Sequence, residues 1–392
     1  MIVVIADDFS GAAEIAGIGY RYGLSVEIQF TLNTDCSADL IVLDADTRAL
    51  SDLDAVRRTE DLCSELEKSS DLIKIFKKID SVLRGHIVPE LNVLQHYFQY
   101  DRILLMPANP SRGRTIELGK YLVGGVDLAE STFASDPIFP ARFSYLEDII
   151  KSQDCLFKHT HLQANSKLAD TGLVTADVKS SDEIEKLVGQ AGENDLCCGA
   201  ADCFEAFIKK KGFQDKRYTG DRTTEASTII ILNGSTVKTP EEEKRLSDYG
   251  ISEFTLPSLR NGNHFEIQNL DQEEWNAQVV SELKANKCAK VSIDHPIKQN
   301  KELSELFLSW YVSLARHLCD EFDDQLYFGL TGGATAAAVL KGLRVKKLSV
   351  KEELCAGVVT VFDQENPDRM FTVKPGSYPW SDAFLDQLSK EA

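Results

Sequence analysis

The α/β pattern of this chain is clearest in one segment, Leu72-Ile73-Lys74-Ile75-Phe76-Lys77-Lys78-Ile79-Asp80-Ser81-Val82-Leu83-Arg84-Gly85. Its first five residues are largely β-branched or aromatic, which predicts a buried strand over 72–76. Polar groups of both signs follow, where open α/β sheets bind ligands. Arg84 can pair with a carboxylate, and Asp80 and Ser81 can bind hydroxyls, so the segment suits a polyhydroxy acid. The alternative is a solvated loop in which Asp80 or Ser81 only caps the next helix.

Short apolar runs alternate with amphipathic segments on both sides of this segment. The pattern predicts strands over 2–6, 25–30, 40–43, 102–106, 172–178 and 195–198, and helices over 11–22, 52–68, 89–98 and 181–190. Strands that alternate with helices indicate an α/β fold with a mostly parallel sheet. Residues 119–140 break the rhythm with Gly, Asp and Pro, which predicts an irregular excursion or hairpin over the active face.

The length of 392 residues predicts two domains, because one core rarely grows this large. Residues 209–227 are polar and read as a hinge. We therefore expect an N-terminal domain over 1–222 and a C-terminal nucleotide-binding domain over 223–392. The second is also α/β, with predicted strands over 228–232, 289–293 and 326–330 and helices over 240–249, 302–319 and 336–343. Two α/β domains of mostly parallel sheets are expected to face a central cleft.

Composition excludes several classes of protein. The net charge is −19, from 43 basic and 62 acidic residues, which argues against nucleic-acid binding. No apolar run is long enough to cross a bilayer. The start at Met1 reads as a strand and not as a signal peptide, so we expect a cytoplasmic protein. The nine cysteines form no CxxC pair, which favours reduced thiols and no metal site.

Three further strand ends in the first domain carry charged residues. Asp7 and Asp8, followed by Ser-Gly, offer a general base with hydroxyl-binding partners, or else a helix cap. Arg48 follows the third strand and should reach the same crevice as Arg84, since both follow strands of a parallel sheet. The segment 107–115 combines prolines with paired arginines, which suggests an anion-binding loop or else a surface turn.

The second domain contains a Gly-Gly turn before a helix, in Leu330-Thr331-Gly332-Gly333-Ala334-Thr335-Ala336. Exposed backbone N–H groups and the helix dipole make such a turn a seat for phosphate, although close strand–helix packing is the alternative. Asn233-Gly234-Ser235 at another strand end could line the same pocket. A lone histidine such as His86 is more often structural than catalytic.

Together these blocks resemble the four-carbon acid sugar kinase family, the ATP-dependent kinases of threonate, erythronate and 3-oxo-tetronate. The resemblance runs over nearly the whole chain. It rests on the blocks 6–12, 46–48, 78–85, 107–115, 136–137, 233–235 and 331–335.

The resemblance implies a kinase that phosphorylates the terminal hydroxyl of a small sugar acid. Asp8 is the expected catalytic base, with Asp80 as the alternative. The implied substrate-binding residues are Asp7, Arg48, Lys78, Asp80, Ser81 and Arg84, and the implied ATP-binding residues are Ser235, Gly332, Gly333, Ala334, Thr335 and Gly376. Mg²⁺ is expected on the ATP phosphates, without a protein carboxylate cage. Ala334 stands where the family usually has an aspartate, so that position is given no metal or base role.

Two other classes compete with this interpretation. A dehydrogenase or isomerase would need a GxGxxG turn, and none opens either domain. A two-lobed protein that only binds sugar acids would need no nucleotide pocket, and a kinase for another hydroxy acid is a further alternative. We expect a sugar acid and ATP as ligands, with no nucleic-acid or membrane partner; the sequence leaves a homodimer open.

Overall fold

The computed structural model describes residues 1–69, 73–136, 139–164, 166–216, 228–234, 240–249, 251–255, 259–261, 264–266, 272–293, 301–322, 326–376 and 378–389. The chain forms two compact units, Met1–Arg217 and Tyr218–Ala392. The predicted boundary between residues 222 and 223 lies outside the described residues.

The first unit is built on a fully parallel sheet whose strand order is β2-β3-β1-β4-β11-β5-β10-β9. A separate antiparallel sheet, β6-β7-β8, occupies part of the predicted excursion. The strands are β1 (Ile2–Ala6), β2 (Val26–Gln29), β3 (Leu40–Asp44), β4 (Lys74–Lys78), β5 (Arg102–Met106), β6 (Arg114–Glu117), β7 (Lys120–Val123), β8 (Val126–Asp127), β9 (His159–Leu162), β10 (Gly172–Ala176) and β11 (Asp195–Gly199).

Helices connect these strands. They are α1 (Phe9–Arg21), α2 (Asp52–Glu67), α3 (Ile87–Phe98), α4 (Leu146–Lys151), α5 (Ser181–Gly189) and α6 (Ala201–Lys210), with 3₁₀ turns at Pro110–Arg112, Leu128–Glu130 and Thr132–Ser135. Helix α1 follows β1 directly because the side chain of Asp8 caps it, accepting the N–H of Gly11 at 2.8 Å.

The register of the central strands aligns their carboxyl ends. Ala6 of β1 lies opposite Asp44 of β3 and Lys78 of β4. Every residue of β1 is buried, as expected for a strand covered on both faces. The polar segments that follow these three strands therefore leave the sheet at the same edge.

The second unit has a mixed sheet of strand order β13-β16-β12-β17-β20-β19-β18, parallel from β13 to β20 and antiparallel beyond it. The strands of the unit are β12 (Thr228–Asn233), β13 (Ser252–Thr255), β14 (Leu259–Asn261), β15 (His264–Glu266), β16 (Cys288–Ser292), β17 (Leu326–Thr331), β18 (Lys347–Cys355), β19 (Val358–Asp363) and β20 (Met370–Lys374). Strands β14 and β15 are not part of the mixed sheet and pair with each other as a separate antiparallel sheet. Its helices are α7 (Pro240–Asp248), α8 (Gln272–Asn286), α9 (Lys301–Glu321), α10 (Gly333–Gly342) and α11 (Asp382–Ser389).

The predicted α/β fold of two mostly parallel domains is confirmed, but several predicted boundaries were wrong. Strand β4 ends at Lys78 and not at residue 76, because the amine of Lys77 is neutralised inside the unit by Glu90. Helix α10 begins at Gly333, three residues earlier than predicted, so Ala334 and Thr335 form its first turn. The antiparallel pair β18–β19 was not predicted.

Candidate active site

Arg48 is held by two neighbouring carboxylates at the end of β1. Its Nε donates to Asp7 at 2.7 Å, and its two terminal nitrogens donate to the two oxygens of Asp8 at 2.7 and 2.9 Å. Ser10 also donates to Asp8, at 2.6 Å. The sequence predicted that Arg48 shares a crevice with Arg84, and its direct contact with Asp7 and Asp8 was not predicted.

Asp80 and Arg84 form a second clamp in the same edge region. Two nitrogens of Arg84 donate to the two oxygens of Asp80 at 2.9 and 2.8 Å, and its third donates to Asp136 at 3.1 Å. The Arg48 guanidinium lies 3.8 Å from Asp80. This distance joins the two clamps into one charged network.

The carboxylates in this network differ in pKa. Burial raises the pKa of Asp7 above its usual range, against the lowering effect of Arg48. Burial acts in the same direction on Asp8, but Arg48, Lys78 and hydrogen bonds from Ser10 and Gly11 outweigh it and lower its pKa. Arg84 and Arg48 likewise overcome burial at Asp80 and lower its pKa strongly. Asp8 and Asp80 are therefore ionised at neutral pH.

The lowered pKa of Asp80 predicts a loss of stability in acid. A group with a depressed folded-state pKa stabilises the fold above its unfolded pKa, here near 3.8, and loses that contribution as pH falls further. We expect Asp80→Asn to cost about 3 kcal/mol near pH 7, because Arg84 loses a buried partner. In urea titrations, the difference in unfolding free energy between wild type and Asp80→Asn should become smaller as pH falls below about 4. If this difference in unfolding free energy stays constant down to pH 3, the pKa of Asp80 is not lowered in the folded protein.

Two adjacent lysines at the end of β4 have different environments. Lys77 is fully buried and pairs with Glu90 at 2.5 Å, so it belongs to the interior of the unit. The Lys78 amine donates to the carbonyl of Ile79 at 3.1 Å and lies 3.6 Å from Glu14. It would also lie 2.9 Å from a Cβ added at Gly11, which places Lys78 against the start of α1.

Arg114 is a site residue that the sequence interpretation did not single out. It lies at the start of β6 and donates a hydrogen bond to the hydroxyl of Ser81. Tyr121 of β7 donates to the carbonyl of Ser81. The predicted excursion therefore does reach the segment after β4. The paired arginines in 107–115 were the only signal, and nothing in the sequence showed that Arg114 and not Arg112 points inward.

Other candidate groups have structural roles. Ser111 donates to Asp202 at 2.6 Å, which fastens the 107–115 loop to α6. His86 is buried, with one ring nitrogen 2.8 Å from Asp52 and the other 2.9 Å from the carbonyl of Leu50. Burial raises the pKa of the Cys197 thiol to about 12, as befits an inert core cysteine.

The Gly-Gly turn of the second unit has the features of a phosphate seat. Gly332 has a φ of 92°, which favours glycine, and precedes helix α10. Ala334 in the first turn is exposed, and the N–H groups of this turn have no partner within the helix. A Cβ on Gly234 would lie 1.8 Å from Thr335 Oγ1, so β12 packs closely against this turn.

The sequence also assigned Ser235 and Gly376 to nucleotide binding. Ser235 lies outside the described residues. Gly376 follows β20, whose last residue Lys374 accepts the N–H of Gly332 through its carbonyl at 2.9 Å. No group of three or more His, Cys, Asp or Glu side chains suited to a metal ion occurs in the described part of the chain. None of the described helices is long and apolar enough to cross a membrane.

The family is decided by the N-terminal half of the chain. A family model described as a sugar-binding N-terminal domain matches residues 2–207, more than half of the chain. The chain belongs to this family. The resemblance to the four-carbon acid sugar kinases is confirmed with it, since the similar curated proteins carry those names.

Two relatives illustrate the extent of the similarity. D-threonate kinase of Salmonella typhimurium is 32% identical over 39% of this chain and 36% of that protein. 3-oxo-tetronate kinase of Haemophilus influenzae is 24% identical over 98% of each. The first alignment spans little more than a third of the relative's length, whereas the second spans nearly all of it.

Solved structures of low identity share the fold. A Haemophilus influenzae protein matches with a TM-score of 0.72 at 20% identity over 99% of each chain. A Salmonella typhimurium protein matches with a TM-score of 0.77 at 18% identity over 100% of this chain and 99% of that one. The fold of both structures therefore covers the full length of this chain.

Proposed function

We propose that this protein is an ATP-dependent kinase that phosphorylates the terminal hydroxyl of a small, four-carbon sugar acid such as threonate, erythronate or 3-oxo-tetronate. The observation that carries the proposal is the joined network of Asp8, Arg48, Asp80 and Arg84 at one sheet edge. It lies within the sugar-binding domain of a family whose relatives are named as kinases of such acids.

Asp8 is the proposed acceptor of the hydroxyl proton. Its lowered pKa keeps it ionised, and Arg48 and the α1 N-terminus fix both of its oxygens. Phosphoryl transfer depends mainly on positioning and charge stabilisation, so a weakly basic carboxylate that orients the hydroxyl can suffice. Asp80 is less suited, because its side chain is buried, whereas that of Asp8 is partly exposed.

The positive side chains would fix the substrate and offset charge during transfer. Lys78 presents its amine beside α1, and Arg48 and Arg84 hold the carboxylates in place. In the second unit, the first turn of α10 would bind ATP phosphates through its N–H groups and Thr335. ATP supplies the phosphoryl group, and we propose that Mg²⁺ is held by phosphate oxygens and water. The predicted cleft stays a prediction.

The nucleotide assignment predicts a selective effect of Gly234→Ala. Its Cβ would meet Thr335 Oγ1 at 1.8 Å and the carbonyl of Thr331 at 3.2 Å, so the α10 turn must shift. We expect KM for ATP to rise roughly 10-fold, which corresponds to about 1.4 kcal/mol of lost binding free energy, with little change in KM for the acid. Gly189→Ala is the control, since its Cβ meets nothing within 4 Å. Equal rises in both KM values would refute the assignment.

A thermal-shift experiment separates the kinase from a protein that only binds sugar acids. MgATP without any sugar acid should raise the unfolding midpoint by roughly 5 °C at 100-fold excess over its Kd. Two controls are needed. The wild type with MgCl₂ alone should show a smaller shift of the unfolding midpoint, and so should the Gly234→Ala variant with MgATP. No shift with MgATP, beside a clear shift with a sugar acid, would favour the binding protein.

A further inference from the structure

We infer that Arg114 binds the carboxylate of the sugar acid and sets the preference of the site for acids over neutral sugars. This inference rests on the proposed function for its substrate class. It differs from the sequence interpretation, which gave that role to Arg48 and Arg84. The charge balance of the site leads to the reassignment.

The two expected arginines are already matched by the protein's own carboxylates. Arg48 donates to Asp7 and Asp8, and Arg84 donates to Asp80 and Asp136. Two guanidiniums thus face four carboxylates, and Lys78 lies near a fifth, Glu14. A substrate carboxylate at either clamp would displace an internal one or sit beside it as a like charge, which is unfavourable.

Arg114 is different, because its one hydrogen-bond partner in the described residues is a neutral hydroxyl, that of Ser81. It forms no ion pair with any described acidic side chain. Its guanidinium lies 5.7 Å from the ring centroid of Phe133, and that of Arg84 lies 5.6 Å from the same centroid. Both guanidiniums therefore lie near the same aromatic ring, and no described carboxylate pairs with that of Arg114.

Ser81 and Arg114 together can form a binding site for a carboxylate. Its oxygen accepts from Arg114, which leaves the hydroxyl hydrogen to be donated elsewhere. The Tyr121 hydroxyl donates to the backbone carbonyl of Ser81 and so holds this residue in place. The Arg114 guanidinium and the Ser81 hydroxyl lie side by side, so each can donate to one of the two oxygens of a carboxylate.

The test compares Arg114→Met and Arg114→Lys with Arg112→Met, a change of equal charge at an exposed neighbour. Binding of D-threonate, D-erythronate and their primary amides is measured by calorimetry without nucleotide, and KM and kcat are measured with MgATP. For the acid that binds best, Arg114→Met should weaken affinity and raise KM by roughly 10- to 100-fold, with kcat within about threefold. Arg114→Lys should recover part of the affinity, and Arg112→Met should match the wild type.

The primary amides carry no charge, so they show whether Arg114→Met weakens binding because the contact with the carboxylate is lost or because Ser81 has moved. The wild type should prefer acid over amide, and Arg114→Met should bring the two affinities together. Equal losses for acid and amide, equal effects of Arg114→Met and Arg112→Met, or no acid binding by the wild type would overturn the inference. Acid binding that depends on Arg114 without any turnover would support the inference and overturn the proposed kinase activity.

Discussion

Replacing Asp8 with asparagine is expected to lower kcat by roughly 10²- to 10⁴-fold, the range typical of a removed acid–base group. Asparagine keeps the shape of the side chain and is also a good helix cap, so α1 should still begin at the same residue. The main loss is the negative charge that accepts the substrate proton and faces Arg48. KM for the sugar acid should change much less than kcat.

The matched control is Asp35→Asn, which makes the same change at an exposed position. It should retain wild-type kcat and KM. Asp80→Asn gives the second comparison, because it removes the partner of Arg84 and should act on substrate affinity more than on kcat. Near-normal turnover of Asp8→Asn with every candidate acid would show that Asp8 is not the base.

The largest expected loss of stability comes from Lys77→Met. This change leaves Glu90 buried without its partner, and one of its oxygens already accepts no hydrogen bond from any described residue. Removing one member of a buried ion pair typically costs about 3–5 kcal/mol. The free energy of unfolding of the first unit, measured in urea, should therefore fall by that amount. The pKa of Lys77 is raised, because Glu90 and Asp7 outweigh its burial. The lysine is therefore charged at neutral pH.

The double variant Lys77→Met/Glu90→Leu tests this explanation. Replacing both partners with apolar side chains is often nearly neutral, so stability should return close to wild type. Lys151→Met is the surface control, because it breaks the exposed pair with Glu147 and should leave the unfolding free energy almost unchanged. If the double variant is no more stable than Lys77→Met, the loss comes from packing and not from the unpaired charge.

The sequence predicted the arrangement of the site well where parallel strands set it. Apolar runs identified β1 and β3 closely, and parallel strands bring their carboxyl ends to one edge. Asp8, Arg48 and Asp80 therefore lie at one edge as expected. Local patterns sufficed here because each residue follows its strand within a few positions.

Contacts between distant segments could not be predicted in the same way. Lys77 was expected in a polar loop, but its partner Glu90 lies on α3, and only the packing of that helix makes a lysine acceptable inside β4. Arg114 reaches Ser81 through the β6–β8 sheet. The internal pairing of Arg84 with Asp136 depends on the same excursion. Apolar periodicity carries no information about which charges will pair.

The most direct test of the central claim is ADP release by the purified protein with MgATP and a panel of C4 to C6 sugar acids. We predict turnover with at least one four-carbon acid, a phosphorylated product bearing phosphate on its terminal hydroxyl, and loss of that turnover in Asp8→Asn. ADP release that no acid on the panel stimulates, from a folded protein that binds MgATP, would contradict the account.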